Sequence, residues 1–361
     1  MTTTAPVAAG PKPAATAKKS RGGSLGRYIA VRALLIIPTV WILVTTVFVL
    51  MRATGDPITA ALGGRLPADQ LAERVHEAGY DRPLIVQYLE YLGNILTGDF
   101  GTALSDHRPV TEIITTFGAA TLELAFYALI IAFAVGIPLG RMAAFRRDRW
   151  PDATARLGAI VAYATPVFFA GLLLKLIFSV WLGWFPVAGR ADTRSELTLQ
   201  RLDGATGIYL IDAVRTGDWD IISDVLLHAV LPALALGLLT AGVFLRVVRT
   251  NVISTLGAGY VGAARSRGVS ERRLLRKHAY RPALIPIVTV VGLQIAMLLS
   301  GAVLTETTFE WKGLGFQLAE YLTARDFVAV QGIVAFLAVV VALTNFIVDV
   351  IAALIDPRVR Y

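Results

Sequence analysis

The chain has 361 residues, 55% of them hydrophobic and only 17% charged, with a formal net charge of +8 and a mean hydropathy of +0.63. A soluble domain carries about 25% charged residues, so this composition points to a polytopic membrane protein. The absence of cysteine excludes disulfides, thiolate metal sites and cysteine nucleophiles, and the four histidines have no HxxxH or HExxH spacing, which speaks against a metal centre.

Residues 1–27 read as a basic, disordered tail, rich in Ala, Thr, Pro, Gly and Lys, and not as a cleavable signal. Crossing ~30 Å of hydrocarbon takes about 20 apolar residues. The first stretch of that length is Ala33–Met51. Residues 52–117 follow as a small folded cap. They hold the helix-like pieces "PADQLAERVHEAGY" and "QYLEYLGNIL" and a turn at Gly98–Gly101. Further spans are expected at Ala119–Gly140, Leu157–Trp181, Val225–Leu245, Ala283–Leu304 and Val328–Ile355. The fold class is therefore an all-α membrane protein with six transmembrane helices and a cap between the first two.

The charges between the spans alternate in sign. Residues 1–32 carry six Lys/Arg and no acid, and residues 246–282 carry nine against one. Residues 52–117 have nine acids against five arginines. Lys and Arg accumulate on the cytoplasmic side. The pattern puts both termini, 141–156 and 246–282 in the cytoplasm, and the cap outside.

Three ionisable residues fall within spans, Glu123, Lys175 and Asp349, each close enough to a span end to snorkel or pair at an interface. No charge lies at mid-depth, which disfavours a proton-coupled carrier. Gln294 is the most conspicuous mid-depth polar side chain, equally consistent with lining a path and with bonding a neighbouring helix. "GAGYVG" from Gly257 matches a dinucleotide-binding pattern, but it follows a membrane helix rather than a strand. No GxxxxGK[ST] phosphate loop occurs, so the chain is not expected to bind ATP. No nucleophile–base constellation supports an intramembrane enzyme.

The stretch "GAARSRGVSERRLLRKHAYRPALIP" holds seven Lys/Arg against the single acid Glu271. Within and just before it, Tyr260, Val261, Ala263 and Ala264 make a short helical face of mostly small residues. Gly268 suits the left-handed turn that ends a helix, and Ser270 and Glu271 suit the start of the next. Leu274, Leu275 and His278 would form the apolar side of that second helix, which Pro282 ends. Such an element can dock into a groove on another protein or rest on anionic lipid.

From Tyr260 onward the sequence resembles the EAA loop of binding-protein-dependent ABC importer permeases, most closely the dipeptide/oligopeptide/nickel family. "TGDP", "GYDRPLIVQYLEYL", "LTGDFGTALSDHRPV", "GWFPVAG", "LHAVLPAL", "TETTFEWKGLG" and "IDPRVR" occur in that family's order from about Tyr28. The order, with a cap before span two, is that of the B-type subunit. The resemblance implies a type I ABC importer permease fold and a non-catalytic subunit carrying peptides, with nickel chelates or oligosaccharides as alternative cargo. It implies ATPase coupling through Tyr260, Val261, Ala263, Ala264, Arg265, Gly268, Ser270 and Glu271. Gln294, Ser300, Thr305 and Glu306 are candidates for a translocation path. Implied partners are a C-type permease, two ABC ATPases that use ATP and Mg, an external substrate-binding protein and membrane lipid, with no nucleic acid. The implied location is the bacterial plasma membrane. Gly262 and Ala263 stand where the family has Arg-Thr, Pro282 replaces an asparagine, and Lys312 replaces a proline.

Overall fold

A computed structural model describes residues 25–64, 66–274, 280 and 285–355, with the backbone but not the side chains of 285–289, 296, 299, 300 and 355. The expected tail is outside this set up to residue 24, as are Leu275, His278 and Pro282. The described residues are helical, with no strand and one isolated antiparallel bridge between Thr102 and Pro109.

Among the described residues, four helices are long and apolar enough to cross a membrane: α1 (Leu25–Ala53), α5 (Val110–Phe145), α10 (Trp219–Leu256) and α15 (Phe327–Ile355). The cap region contributes α2 (Pro57–Leu62), α3 (Ala68–Glu77) and α4 (Leu84–Thr97), the last closed by Gly98 at φ 82°. The third expected span is not one straight helix. It is α6 (Trp150–Ala164) and α7 (Val167–Leu174), the latter running into a π-turn at Lys175–Trp181, and the pair is bent by 106°. Pro166 causes the break: it holds the preceding Thr165 extended, at ψ 125°, and removes a helix donor. Counted as one span, the pair makes a fifth crossing. The fifth expected span corresponds to α13 (Ile285–Phe309), whose start borders undescribed residues. Between α7 and α10 lie α8 (Thr193–Gln200) and α9 (Tyr209–Thr216), and after α13 comes α14 (Leu314–Thr323).

The core is the pairing of α5 with α10. On α5, Ala120, Leu124, Ala128, Ala132, Gly136 and Gly140 recur every fourth residue, and all are buried. One stripe four residues apart is one face of a helix, and small residues on it let two backbones approach. A Cβ at Gly136 would sit 2.6 Å from the Ala241 carbonyl oxygen, and one at Gly140 2.7 Å from that of Leu245. From the other side, a Cβ at Gly237 would lie 2.7 Å from the Ala128 oxygen. Phe244 and Val248 fill the seam beyond the glycines. α15 closes on α1 through Arg32–Asp349, 2.9 Å apart, so this span-end acid is paired.

Gly136→Val and Gly140→Val should each cost roughly 1–3 kcal/mol through overpacking. Gly158→Ala, where a Cβ meets nothing within 4 Å, should be neutral or stabilising by about 0.5–1 kcal/mol. Thermal unfolding of the detergent-solubilised protein measures all three.

Candidate functional site

The basic segment leaves α10 at Gly257 and forms α11 (Gly259–Ser266), then α12 (Glu271–Arg273). The turn between them is hydrogen-bonded on both sides. Gly268 N donates to the Arg265 carbonyl at 3.0 Å and Val269 N to that of Ala264 at 3.3 Å, with Gly268 at φ 78°. This is the glycine-terminated helix end in which two orphan carbonyls are satisfied at once. A Cβ at Gly268 would meet nothing within 4 Å, so the glycine is required by backbone conformation alone. Ser270 takes the N-cap place with extended backbone, without a side-chain cap bond. Arg265 instead bridges the turn, its Nε donating to Glu271 Oε1 at 2.6 Å and its Nη2 to Oε2 at 3.2 Å. The Arg265 guanidinium hydrogen-bonded to it holds the Glu271 carboxyl below the usual carboxylate range.

Val261 and Leu274 are fully buried and anchor the segment. Tyr260 and Ala263 are exposed and Ala264 is half-buried. A side chain added at Gly259 or Gly262 would meet nothing within 4 Å, so one face of α11 is bare. Two arginines that sequence reading did not single out fix the surroundings. Arg141, near the end of α5, lies over the Tyr280 ring at 5.7 Å. Arg249, on the last turns of α10, grips the fully buried Asp152 of α6 with Nε to Oδ1 at 2.6 Å and Nη2 to Oδ2 at 2.8 Å. Asp148 N also donates to Asp152, at 3.0 Å. Tyr280 thus rests against α5, and α10, from which the segment leaves, is tied to α6.

About 30 Å back along α5, at 1.5 Å per residue, lies a second polar knot. Glu123 is buried, not snorkelling: Arg190 Nη2 lies 2.5 Å from its Oε2, and it accepts from Leu210 N at 2.8 Å and Tyr127 Oη at 2.9 Å. Lys175 donates to the Thr308 carbonyl at 3.1 Å. Glu306 accepts from Thr121 Oγ1 at 2.7 Å and from Phe316 N at 2.9 Å, holding the start of α14 as an N-terminal carboxylate does. The fit is close, since a Cβ at Gly313 would lie 2.5 Å from the Glu306 oxygens. Trp311 is fully buried and donates to the Ala120 carbonyl at 2.9 Å. Of the path candidates, Thr305 and Glu306 therefore sit inside the chain's own packing, Thr305 bonding the Gly301 carbonyl at 3.2 Å. Gln294 is half-buried on α13, and the Ser300 side chain is outside the described set.

Asp192, Asp224 and His228 bring three donor atoms within 4.8 Å of one another, a grouping that histidine spacing did not indicate. Asp224 is engaged within the group, accepting from Asp192 N at 2.8 Å and lying 3.0 Å from His228 Nδ1, while the Asp192 carboxylate is exposed, 3.8 Å from His228 Nε2.

The sequence profile of the family described as "Binding-protein-dependent transport system inner membrane component" matches residues 136–361, and its N-terminal companion matches residues 25–123. The chain belongs to this family. It is thus a multi-pass membrane component of a transport system. It is 38% identical to the di/tripeptide transport system permease protein DppB of Pseudomonas aeruginosa over 92% of this chain and 98% of that one. It is 37% identical to the dipeptide transport system permease protein DppB of Escherichia coli, over 93% and 99%. In fold it resembles a chain of the inward-facing MetNI methionine ABC transporter, with a TM-score of 0.50 at 15% identity, over 68% of this chain and 96% of that one. That neighbour supports the type I permease fold.

Asp152→Asn removes the charge facing Arg249 and should cost about 1.5–3 kcal/mol, since hydrogen bonds to charged groups are worth that much. The double variant Asp152→Leu/Arg249→Met should lose less than its component singles, Asp152→Leu and Arg249→Met, added together with wild type as reference, because no charge is left buried alone. Thermal midpoints of the four proteins test the pair.

Proposed function

We propose that this chain is the B-type transmembrane subunit of an ATP-driven importer of di- and oligopeptides. It forms half of a translocation path with a C-type permease subunit. Two ABC ATPase subunits supply the energy from ATP and Mg, and an external substrate-binding protein delivers the cargo. The subunit sits in the bacterial plasma membrane with six crossings, both termini in the cytoplasm and the 52–117 cap outside. Alternating loop charge and the named relatives support this reading.

The observation that carries the mechanism is the loop after α10. A short helix with a bare face, stopped by a left-handed glycine and anchored by Val261 and Leu274, suits a groove in a partner protein. Tyr260, Ala263, Ala264 and Arg265 would touch the ATPase, with Gly268, Ser270 and Glu271 setting the angle of α12. Closure of the ATPase dimer on ATP would push α11. Because α10 is locked to α6 through Arg249–Asp152 and to α5 along the glycine seam, the push would reach the spans as rigid-body movement. Switching between inward- and outward-facing states is a rigid-body change of this kind.

Gly268→Val forces a side chain into a conformation costing roughly 1–2 kcal/mol, worth about a 5–30-fold change in an equilibrium. Ala264→Trp enlarges the docking face. Both should leave membrane insertion and abundance intact while peptide uptake and cargo-stimulated ATP hydrolysis fall together. Gly268→Asn, tolerant of the left-handed region, should retain most activity. The assay is uptake by the reconstituted four-subunit complex with its binding protein. Wild-type transport by both the Val and the Trp variants would remove the loop from the mechanism.

A further inference from the structure

The turn after α13 and the segment carrying α8 and α9 enclose a cleft of about 610 Å³. Small-molecule sites run to about 300–1,000 Å³. The floor is buried and firmly held. Arg190 lies over the Tyr209 ring at 3.6 Å, bonded through Nη2 to Glu123 and, at 2.9 Å, to the Gly207 carbonyl, and Leu199 packs beside it. Arg190 Nε is buried with no hydrogen-bond partner. The rim is polar: Thr115 and Thr116 from the first turns of α5, Thr206, Gln200, Glu196 and Lys312.

Two rim charges of opposite sign face each other without bonding. Lys312 Nζ stands 3.8 Å from Glu196 Oε1, beyond hydrogen-bond distance. Glu196 is oriented by two long contacts, from Tyr209 Oη at 3.4 Å and Gln200 Nε2 at 3.3 Å. A carboxylate can accept about four hydrogen bonds, so this one has capacity in reserve. An inorganic anion here would meet the Glu196 charge, and an apolar ligand would strand both charges against it. A molecule with one free ammonium and one free carboxylate, a few ångströms apart, satisfies both. An extended dipeptide spans at most about 7 Å and a tripeptide about 10 Å, and the threonine hydroxyls can serve the amides between.

We propose that this cleft binds a short zwitterionic peptide, its carboxylate on Lys312 and its ammonium on Glu196, parting that pair. The site lies apart from the coupling loop, and its role as a staging point for cargo rests on the peptide-importer reading above.

The test uses the assembled importer in lipid nanodiscs without the binding protein, titrated calorimetrically with dialanine, N-acetyl-dialanine and dialanine amide. Saturable millimolar binding of dialanine to the wild type is expected, weakened roughly tenfold by capping either end, as loss of one charged hydrogen bond implies. Lys312→Met should weaken dialanine about tenfold and no longer distinguish it from its amide, while still discriminating against the acetylated form. Glu196→Gln should show the reverse pattern. This crossed pattern is not produced by general damage, and unchanged thermal midpoints of both complexes check the fold. No saturable binding to the wild type, or equal responses to both caps in both variants, overturns the proposal. Dialanine uptake by proteoliposomes with the binding protein separates the two readings: uptake without cleft binding retires the cleft alone, whereas cleft binding without uptake keeps the site and retires peptide import.

Discussion

Two helix backbones touch where Gly136, Gly140 and Gly237 carry no side chain, and the rest of the chain is arranged around that contact. A bilayer gives no hydrophobic reward for bringing two apolar helices together, because lipid is as apolar as leucine. Close approach and the dispersion contacts it allows must do the work. The four-residue stripe from Ala120 to Gly140 supplies the approach, and Phe244 and Val248 supply the fill. α5 and α10 are thereby joined along one packed seam.

That body has a polar device near each end. At one end, Asp152–Arg249 and the Arg141–Tyr280 contact bind α6 and the returning limb of the basic loop to it. At the other, Glu123–Arg190 and Glu306 fasten the α7–α10 segment and the turn before α14. Burying a charge without a partner is expensive, and each of these buried acids has several. The loop itself is fastened through two apolar residues, Val261 and Leu274, while its small-residue face at Gly259 and Gly262 stays open. A segment attached to a rigid body and bare on its outer side is well placed to pass on a push.

Local features were legible in the sequence. The positive φ of Gly268, the start of α12 after Ser270, the cap helices and most apolar spans follow from side-chain chemistry within a few residues. The break at Thr165–Pro166 was also written there, because proline restricts its predecessor, but a hydropathy count runs straight through it. The every-fourth stripe of α5 was visible too and was masked by the uniform apolarity around it. Partnerships across long separations were not legible. Glu123 meets Arg190 67 residues away, and Asp152 meets Arg249 97 residues away, so of the two outcomes open to a span-end acid, snorkelling or pairing, Glu123 takes the second, and is buried with its partner. Thr305 and Glu306 are buried in the chain's own packing, a placement that polarity near a span end does not reveal.

The central claim is that α11 is where a partner's movement enters this body. Because α11 is exposed at Ala263, a photo-crosslinking amino acid at position 263 reports directly on what covers that face. Irradiation of the assembled complex in membranes, followed by mass spectrometry of the adducts, should find position 263 joined to the ATPase subunit, with a yield that changes when ATP binds. Adducts only to lipid, or to this chain's own residues, would contradict the account.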